Sequence, residues 1–295
     1  MIATLEEPPA ARQKTTLNLR VATVCGMDPE TRAALAKIED LARAGGRVAV
    51  AGVLMPDDGI SARLASLGVV EGVSEPDFFR FRHVVLPYTG ISPRDRHDWN
   101  EAGHPLVDLT SPHFRRAQVA LGLLRMEGAQ PLVIGRHDDP ESRALASVAT
   151  GTRILEDTTD TARLSFEPAF GAVCQTTLSP RKVAWLVDQL RMRYRDARVT
   201  FLNTTAPSMS ARELALETLL ATGDAAVIVG KPGEASAEAL AETAMRKGKP
   251  AIITPDAANL DLSALAGARR LVLTAGAFAP DAAVRAVYQT IKGTA

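Results

Sequence analysis

A chain of 295 residues with 46% hydrophobic and 23% charged side chains can build two or three small units, each with its own core. Its 34 basic residues balance 34 acidic ones, and no basic block is interleaved with aromatics, so nucleic acid is not expected as a partner. No apolar run approaches the roughly 20 residues that span a bilayer, so no membrane partner is expected either.

The first segment, MIATLEEPPAARQKTT, carries acids and prolines where a signal peptide needs a basic start and an apolar run. Residues 1–18 are read as a flexible tail and the protein as cytoplasmic. A strand is expected at Arg20–Cys25, then an amphipathic helix at Glu30–Arg43. Strands follow at Arg47–Leu54, His83–Tyr88, Leu106–Leu109, Leu132–Gly135 and Arg153–Leu155. The series continues with Gly171–Gln175, Arg198–Leu202, Ala225–Val229, Ala251–Thr254 and Arg270–Thr274. Helical patterns at Pro180–Arg193, Ala211–Ala221 and Ala235–Arg246 lie between them. Unbroken apolar strands alternating with helices predict an α/β fold with mostly parallel sheets covered on both faces.

Three strand ends share a pattern: a small polar or acidic residue, then Pro, then a helix. They are GMDPE at Gly26–Glu30, LTSPH at Leu109–His113 and TTAPS at Thr204–Ser208. Their spacing of about 80 to 95 residues is near one small α/β unit each, which suggests three related units. The units are expected at 19–107, 108–197 and 198–278, with 279–295 packing back on the first. At Ser111-Pro112 the local geometry is that of a helix start, with Ser111 as N-cap and Pro112 at the first helical position. Ligands in parallel sheets bind beyond the carboxyl ends of strands, so these turns are the first place to look for a site.

Four segments carry a family resemblance. Gln175-Thr176-Thr177-Leu178-Ser179 resembles a Q-T-T-L-S turn, and Thr274–Asp281 (TAGAFAPD) resembles T-A-G-A-S-A-P-D. Asp108–Pro112 (DLTSP) is similar to D-A-T-C-P, and Ile134–Glu141 (IGRHDDPE) is similar to I-G-H-x-x-H-P-E. In this order and register they resemble the 4-hydroxy-3-methylbut-2-enyl diphosphate reductases (LytB/IspH) from about Leu19 to Lys292. The resemblance implies three α/β units in pseudo-threefold arrangement around a central cavity.

It also implies three cysteines, one per unit, holding an iron–sulfur cluster, and these are missing. Asp28 stands in the first position, Ser111 in the second, and Thr204 is the expected third. The only cysteines are Cys25 and Cys174. One carboxylate and two hydroxyls do not replace three thiolates, so no iron–sulfur cluster is expected. The histidines that the resemblance expects for a diphosphate are replaced near Pro56-Asp57, at Thr89 and at Asp139. Glu234-Ala235-Ser236 stands for an S-S-N run, and Phe278 for a serine.

Glu141 aligns with a proton-delivering glutamate and is the candidate general acid or base, with Asp139 and Asp28 assisting it. Their plain structural alternatives are helix caps and first-turn acids. Thr176, Thr177, Ser111, Thr204, Thr89 and Ser236 are expected to orient a substrate, with Phe278 as an apolar wall. Three carboxylates meeting in one cavity would need a cation, so a divalent metal on Asp28, Asp139 and His137 is the alternative. The function expected is a non-redox enzyme of hydrolase or lyase type acting on a small polar or carboxylated organic molecule. A non-catalytic small-molecule binding or regulatory protein is the rival, and an iron–sulfur diphosphate reductase is the least supported.

Overall fold

The computed structural model describes residues 17–73, 80–103 and 106–293. The expected tail, apart from its last two residues, lies outside them. All eleven expected strands are present, with shifts of a few residues at their ends: β1 Asn18–Val21, β2 Val48–Val50, β3 His83–Leu86, β4 Leu106–Asp108, β5 Gln130–Ile134, β6 Arg153–Leu155, β7 Ala169–Cys174, β8 Arg198–Phe201, β9 Ala225–Val229, β10 Ala251–Thr254 and β11 Arg270–Ala275. The helices are α1 Pro29–Arg43, α2 Asp58–Ser66, α3 Pro93–Glu101, α4 Pro112–Met126, α5 Pro140–Ala146, α6 Thr158–Arg163, α7 Pro180–Arg193, α8 Pro207–Leu220, α9 Ala235–Arg246 and α10 Asp281–Gly293.

The strands form three sheets, ordered β2-β3-β4, β6-β5-β7-β8 and β1-β11-β9-β10. Every strand pairing in them is parallel. The central strands read as continuous apolar runs because helices cover both faces: Ala225–Val229 is buried throughout. Opposite faces of the second sheet build two separate clusters. Leu132, Phe170 and Ala172 pack with Val183, Leu186 and Leu190 of α7, while Val133 and Val173 pack with Phe114, Leu121 and Leu124 of α4. Alternation of side chains along each strand divides them in this way.

Sheet membership departs from the expected unit boundaries in two places. β1 pairs with β11, so the chain's first strand completes the third sheet and not the first. β8 pairs with β7, so residues 198–201 close the second sheet. Val287 and Ile291 of α10 share a cluster with Leu271, Leu273 and Leu19, and Asp281 at the start of α10 pairs with Arg32 of α1 at 2.6 Å, so the last helix covers the third sheet and also meets the first segment of the chain. Strand partners are chosen by packing over long sequence separations, and local composition carries no mark of that choice. Strand ends decide where the site lies. The segments leaving β1, β3, β4, β5, β7, β8 and β11 at their carboxyl ends converge on one small central cavity.

Candidate functional site

Each of the three Pro-marked turns delivers a helix N-cap to the cavity wall. Asp28, Ser111 and Ala206 are the N-caps of α1, α4 and α8, each followed by Pro in the first turn, and all three line the cavity. By place in the turn, as the N-cap before Pro, the third counterpart of Asp28 and Ser111 is Ala206, two residues after Thr204. Thr204 is buried behind the wall: its hydroxyl donates to the Cys174 carbonyl at 2.6 Å and accepts from the Cys174 amide at 2.9 Å. It ties the end of β7 to the segment after β8 and leaves no free hydroxyl for a substrate.

The second turn is held from below. Asp108 at the end of β4 accepts from the Thr110 amide at 2.9 Å and pairs with Arg96 and Arg115. Burial works against its charge, but hydrogen bonds from Arg96 and Thr110 hold its carboxyl down at about 2. Ser111 then caps α4 as the sequence indicates, accepting from the His113 amide at 3.2 Å. Its own amide donates to the Tyr88 carbonyl at 2.9 Å, which sets the Tyr88-Thr89-Gly90 turn beside it. Gly90 has φ +78°, and a Cβ there would lie 2.1 Å from the Phe114 ring. Only glycine lets this turn rest on that ring.

Glu141 is the most perturbed acid of the wall. Asp139 caps α5 by accepting from the Glu141 amide at 2.8 Å, and Pro140 opens the helix. The Glu141 side chain is 4% exposed. Its Oε1 accepts from the Thr176 amide at 2.7 Å, and its Oε2 lies 3.1 Å from the Thr176 hydroxyl. Burial, and then the nearby Asp139 charge, push its pKa up to about 8, so it carries a proton at neutral pH. Asp139 does not line the cavity. Burial raises its pKa as well, and its second oxygen accepts from Gln175 Nε2 at 2.9 Å. Gln175 also donates to the Thr177 hydroxyl at 2.9 Å and accepts from Ser142 at 3.1 Å. This buried amide is what fixes the Gln175-Thr176-Thr177 turn against α5.

Asp28 does not converge with the other acids as a free carboxylate. Its Oδ1 pairs with Arg212 at 2.7 Å and its Oδ2 accepts from Ser208 at 2.7 Å. Arg212 is fully buried and also donates to the carbonyls of Gly26 at 2.6 Å and Ala275 at 3.0 Å. Sequence reading missed it. Its signal was there: Arg212 falls on the apolar stripe of α8 with Met209, Leu216 and Leu220, where a charge needs a buried partner. Tyr88, Thr31, Ser208 and Met209 are further wall residues that the motifs did not mark. The Thr31 hydroxyl donates to the Tyr88 hydroxyl at 3.2 Å, and Phe278 meets the Tyr88 ring edge to face at 6.2 Å.

Of the expected site residues, Glu141, Asp28, Thr176, Thr177, Ser111, Thr89 and Phe278 line the cavity. Ser236 does not. Its hydroxyl donates to Glu234 Oε2 at 2.6 Å and accepts from the Ala277 amide at 2.7 Å. Glu234 caps α9 and is buried, with its pKa raised by that burial. His137 stands away from the cavity, with Nε2 2.8 Å from Asp160. It borders an open groove of about 620 Å³ at the edge of the second sheet, which contains none of the turn residues. Asp28, Asp139 and His137 thus hold three separate sets of partners and do not form the expected metal site. Among the described residues no group of three His, Cys, Asp or Glu could hold a metal ion.

The residues present also do not fit an iron–sulfur cluster. Asp28 is neutralised by Arg212, Ser111 offers a neutral hydroxyl whose oxygen already accepts from the His113 amide, and Ala206 has no ligand atom. Burial pushes the Cys25 thiol up to about 11 and raises that of Cys174, so neither is a ready thiolate. The central cavity itself is small, about 20 Å³, room for a single water.

Three parallel sheets around a central cavity define the α/β architecture of the diphosphate reductases. The structure of the E-1-hydroxy-2-methyl-but-2-enyl-4-diphosphate reductase from Plasmodium falciparum superposes with a TM-score of 0.84, at 20% identity over 93% of this chain and 87% of that one. A solved (E)-4-hydroxy-3-methyl-but-2-enyl diphosphate reductase superposes at 0.66, with 20% identity over 94% of this chain and all of that one. Among sequence relatives, the 4-hydroxy-3-methylbut-2-enyl diphosphate reductase of Azoarcus sp. is 27% identical over 71% of this chain and 68% of its own length. That of Methylibium petroleiphilum is 29% identical over 71% of this chain and 64% of its own length. The chain therefore matches about two thirds of the length of these relatives. The LytB protein family matches residues 30–292. This chain belongs to the LytB family and lacks the residues that would hold its cluster.

Proposed function

We propose that this LytB-family protein is a non-redox enzyme whose general acid is Glu141, working on a small polar organic molecule in the central cavity. The observation that carries this reading is the protonated, buried Glu141 on the cavity wall, held by Thr176. A carboxyl kept neutral at pH 7 can give its proton to a leaving oxygen as a C–O bond breaks. The carboxylate left behind keeps the Thr176 amide on Oε1 and the Thr176 hydroxyl on Oε2, which stabilise its charge. In a hydrolase, water then forms the new C–O bond and returns a proton to Glu141; in a lyase, the neighbouring carbon gives its proton to the Glu141 carboxylate as the double bond forms, and neither cycle transfers net electrons. Asp28, already paired with Arg212, has a positioning part.

A second reading is favoured by one observation, the cavity's size. At about 20 Å³ it admits an organic ligand only if Tyr88 and Phe278 part, as in a binding or regulatory protein that opens around its ligand. The test is a screen of small alcohols, esters and amides by mass spectrometry, with melting temperature followed in parallel. A turnover that falls about 10²- to 10⁴-fold in Glu141→Gln supports the enzyme. Turnover untouched by Glu141→Gln refutes the assignment, and a raised melting temperature without turnover favours the binding protein.

A further inference from the structure

The wall of the central cavity has an unusual charge inventory. Asp28 is matched by Arg212, and Arg212 is itself committed to that carboxylate and two backbone carbonyls. Arg212 is not part of the cavity lining, so it offers no cationic face to a ligand. His113 is the only lining side chain able to become cationic. It stands in the first turn of α4. Behind the wall stand Asp139, whose charge acts on Glu141, and Glu234, which is committed to the cap of α9. The remaining lining divides into hydroxyls, among them Tyr88, Thr31, Ser111 and Thr177, and apolar groups, among them Phe278 and Met209.

Resting on the reading of this cavity as a ligand site, we infer that its occupant is an uncharged small molecule bearing a hydroxyl, carbonyl or amide, and that carboxylates and phosphates are excluded. An anion would be stripped of water without gaining an unpaired cationic side chain, and would sit beside the Asp28 carboxylate, whose own cation is already committed to it. A neutral polar group loses far less hydration and finds both donors and acceptors in the hydroxyls of Tyr88, Thr31 and Ser111. The apolar half of the wall takes its carbon skeleton. This narrows the substrate expected from sequence, which included carboxylated molecules, to the neutral class.

The decisive comparison uses neutral and anionic compounds of one shape: acetamide against acetate, and isobutyramide against isobutyrate. Binding is measured by calorimetry and melting temperature at neutral pH, on the wild type and on Phe278→Ala, which enlarges the cavity. Phe278→Leu serves if the alanine variant does not fold. The amides are expected to bind Phe278→Ala, and the wild type more weakly because its wall must part to admit them, with the matched carboxylates at least about 100-fold weaker than the amides in the same protein. Carboxylates binding as well as the amides would overturn the inference, and so would a failure of both amides to bind either protein. Occupancy is read without turnover, so an absence of catalysis would refute the enzyme and leave this result standing.

Discussion

Replacing Asp28 by Ala removes the one carboxylate that faces a fully buried guanidinium. Breaking one side of a buried ion pair costs about 3–5 kcal/mol, because the surviving charge stays buried without compensation. Asp28 is 20% exposed, and the carbonyls of Gly26 and Ala275 still hold Arg212, which moves the expectation to the lower end. The loss also includes the hydrogen bond from Ser208. About 3 kcal/mol is therefore expected, which at roughly 2 °C per kcal/mol for a chain of this size lowers the melting temperature by about 6 °C. Asp28→Asn keeps an acceptor for Ser208 and loses only the charge, so it should fall by about half as much. In Asp28→Ala with Arg212→Met both charges are gone and an unbranched apolar side chain fills the space. That double variant should recover at least about 1.5 kcal/mol relative to the sum of the single changes. Urea denaturation of the wild type, Asp28→Ala, Arg212→Met and the double variant at one salt concentration measures the coupling. The argument fails if Asp28→Ala unfolds within about 0.5 kcal/mol of the wild type, or if the two single effects simply add.

The remaining predictions concern the other parts of the site. Burial pushes the pKa of Glu141 in the folded protein up to about 8, above the ordinary 4.5 of a glutamate. The folded state therefore holds a proton that the unfolded chain releases, so this group's stabilising contribution is complete below about pH 4.5 and is lost as pH rises to about 8. Its contribution to the slope is at most about 1.4 kcal/mol per pH unit, and Glu141→Gln should remove it; equal slopes in the two proteins across pH 5 to 8 would contradict the buried, protonated carboxyl. Gly90→Ala must place a methyl against the Phe114 ring in a left-handed backbone, so a loss of about 2–4 kcal/mol is expected in thermal unfolding, and a neutral outcome would disprove the close approach. Anaerobic incubation with iron and sulfide should leave the protein without the visible absorbance of an iron–sulfur cluster. A stoichiometric cluster retained through gel filtration would refute the reading of Asp28, Ser111 and Ala206 as positions that no longer bind metal.

Local chemistry made much of this protein legible from its sequence. The strands are short aliphatic runs, Ser111 and Asp139 cap their helices through hydrogen bonds that span two residues, and Asp28 holds its N-cap position through the Pro29 that follows it. The burial of Glu141 was also within reach, through its place in a motif beside the Gln175-Thr176-Thr177 turn. Other features depended on residues far apart in the chain. Arg212 meets Asp28 across 184 positions, and that contact converts an expected cluster of free acids into a neutral lock. β1 joins β11 and β8 joins β7 because strand partners are selected by the packing of whole layers. Thr204 and Ala206 lie two residues apart, and only the path of the chain after β8 decides which of them reaches the cavity. The sequence determined the elements and their caps because those interactions are local. The tertiary structure alone decided which charges are compensated and how little space the cavity keeps, because both depend on side chains brought together from three separate sheets.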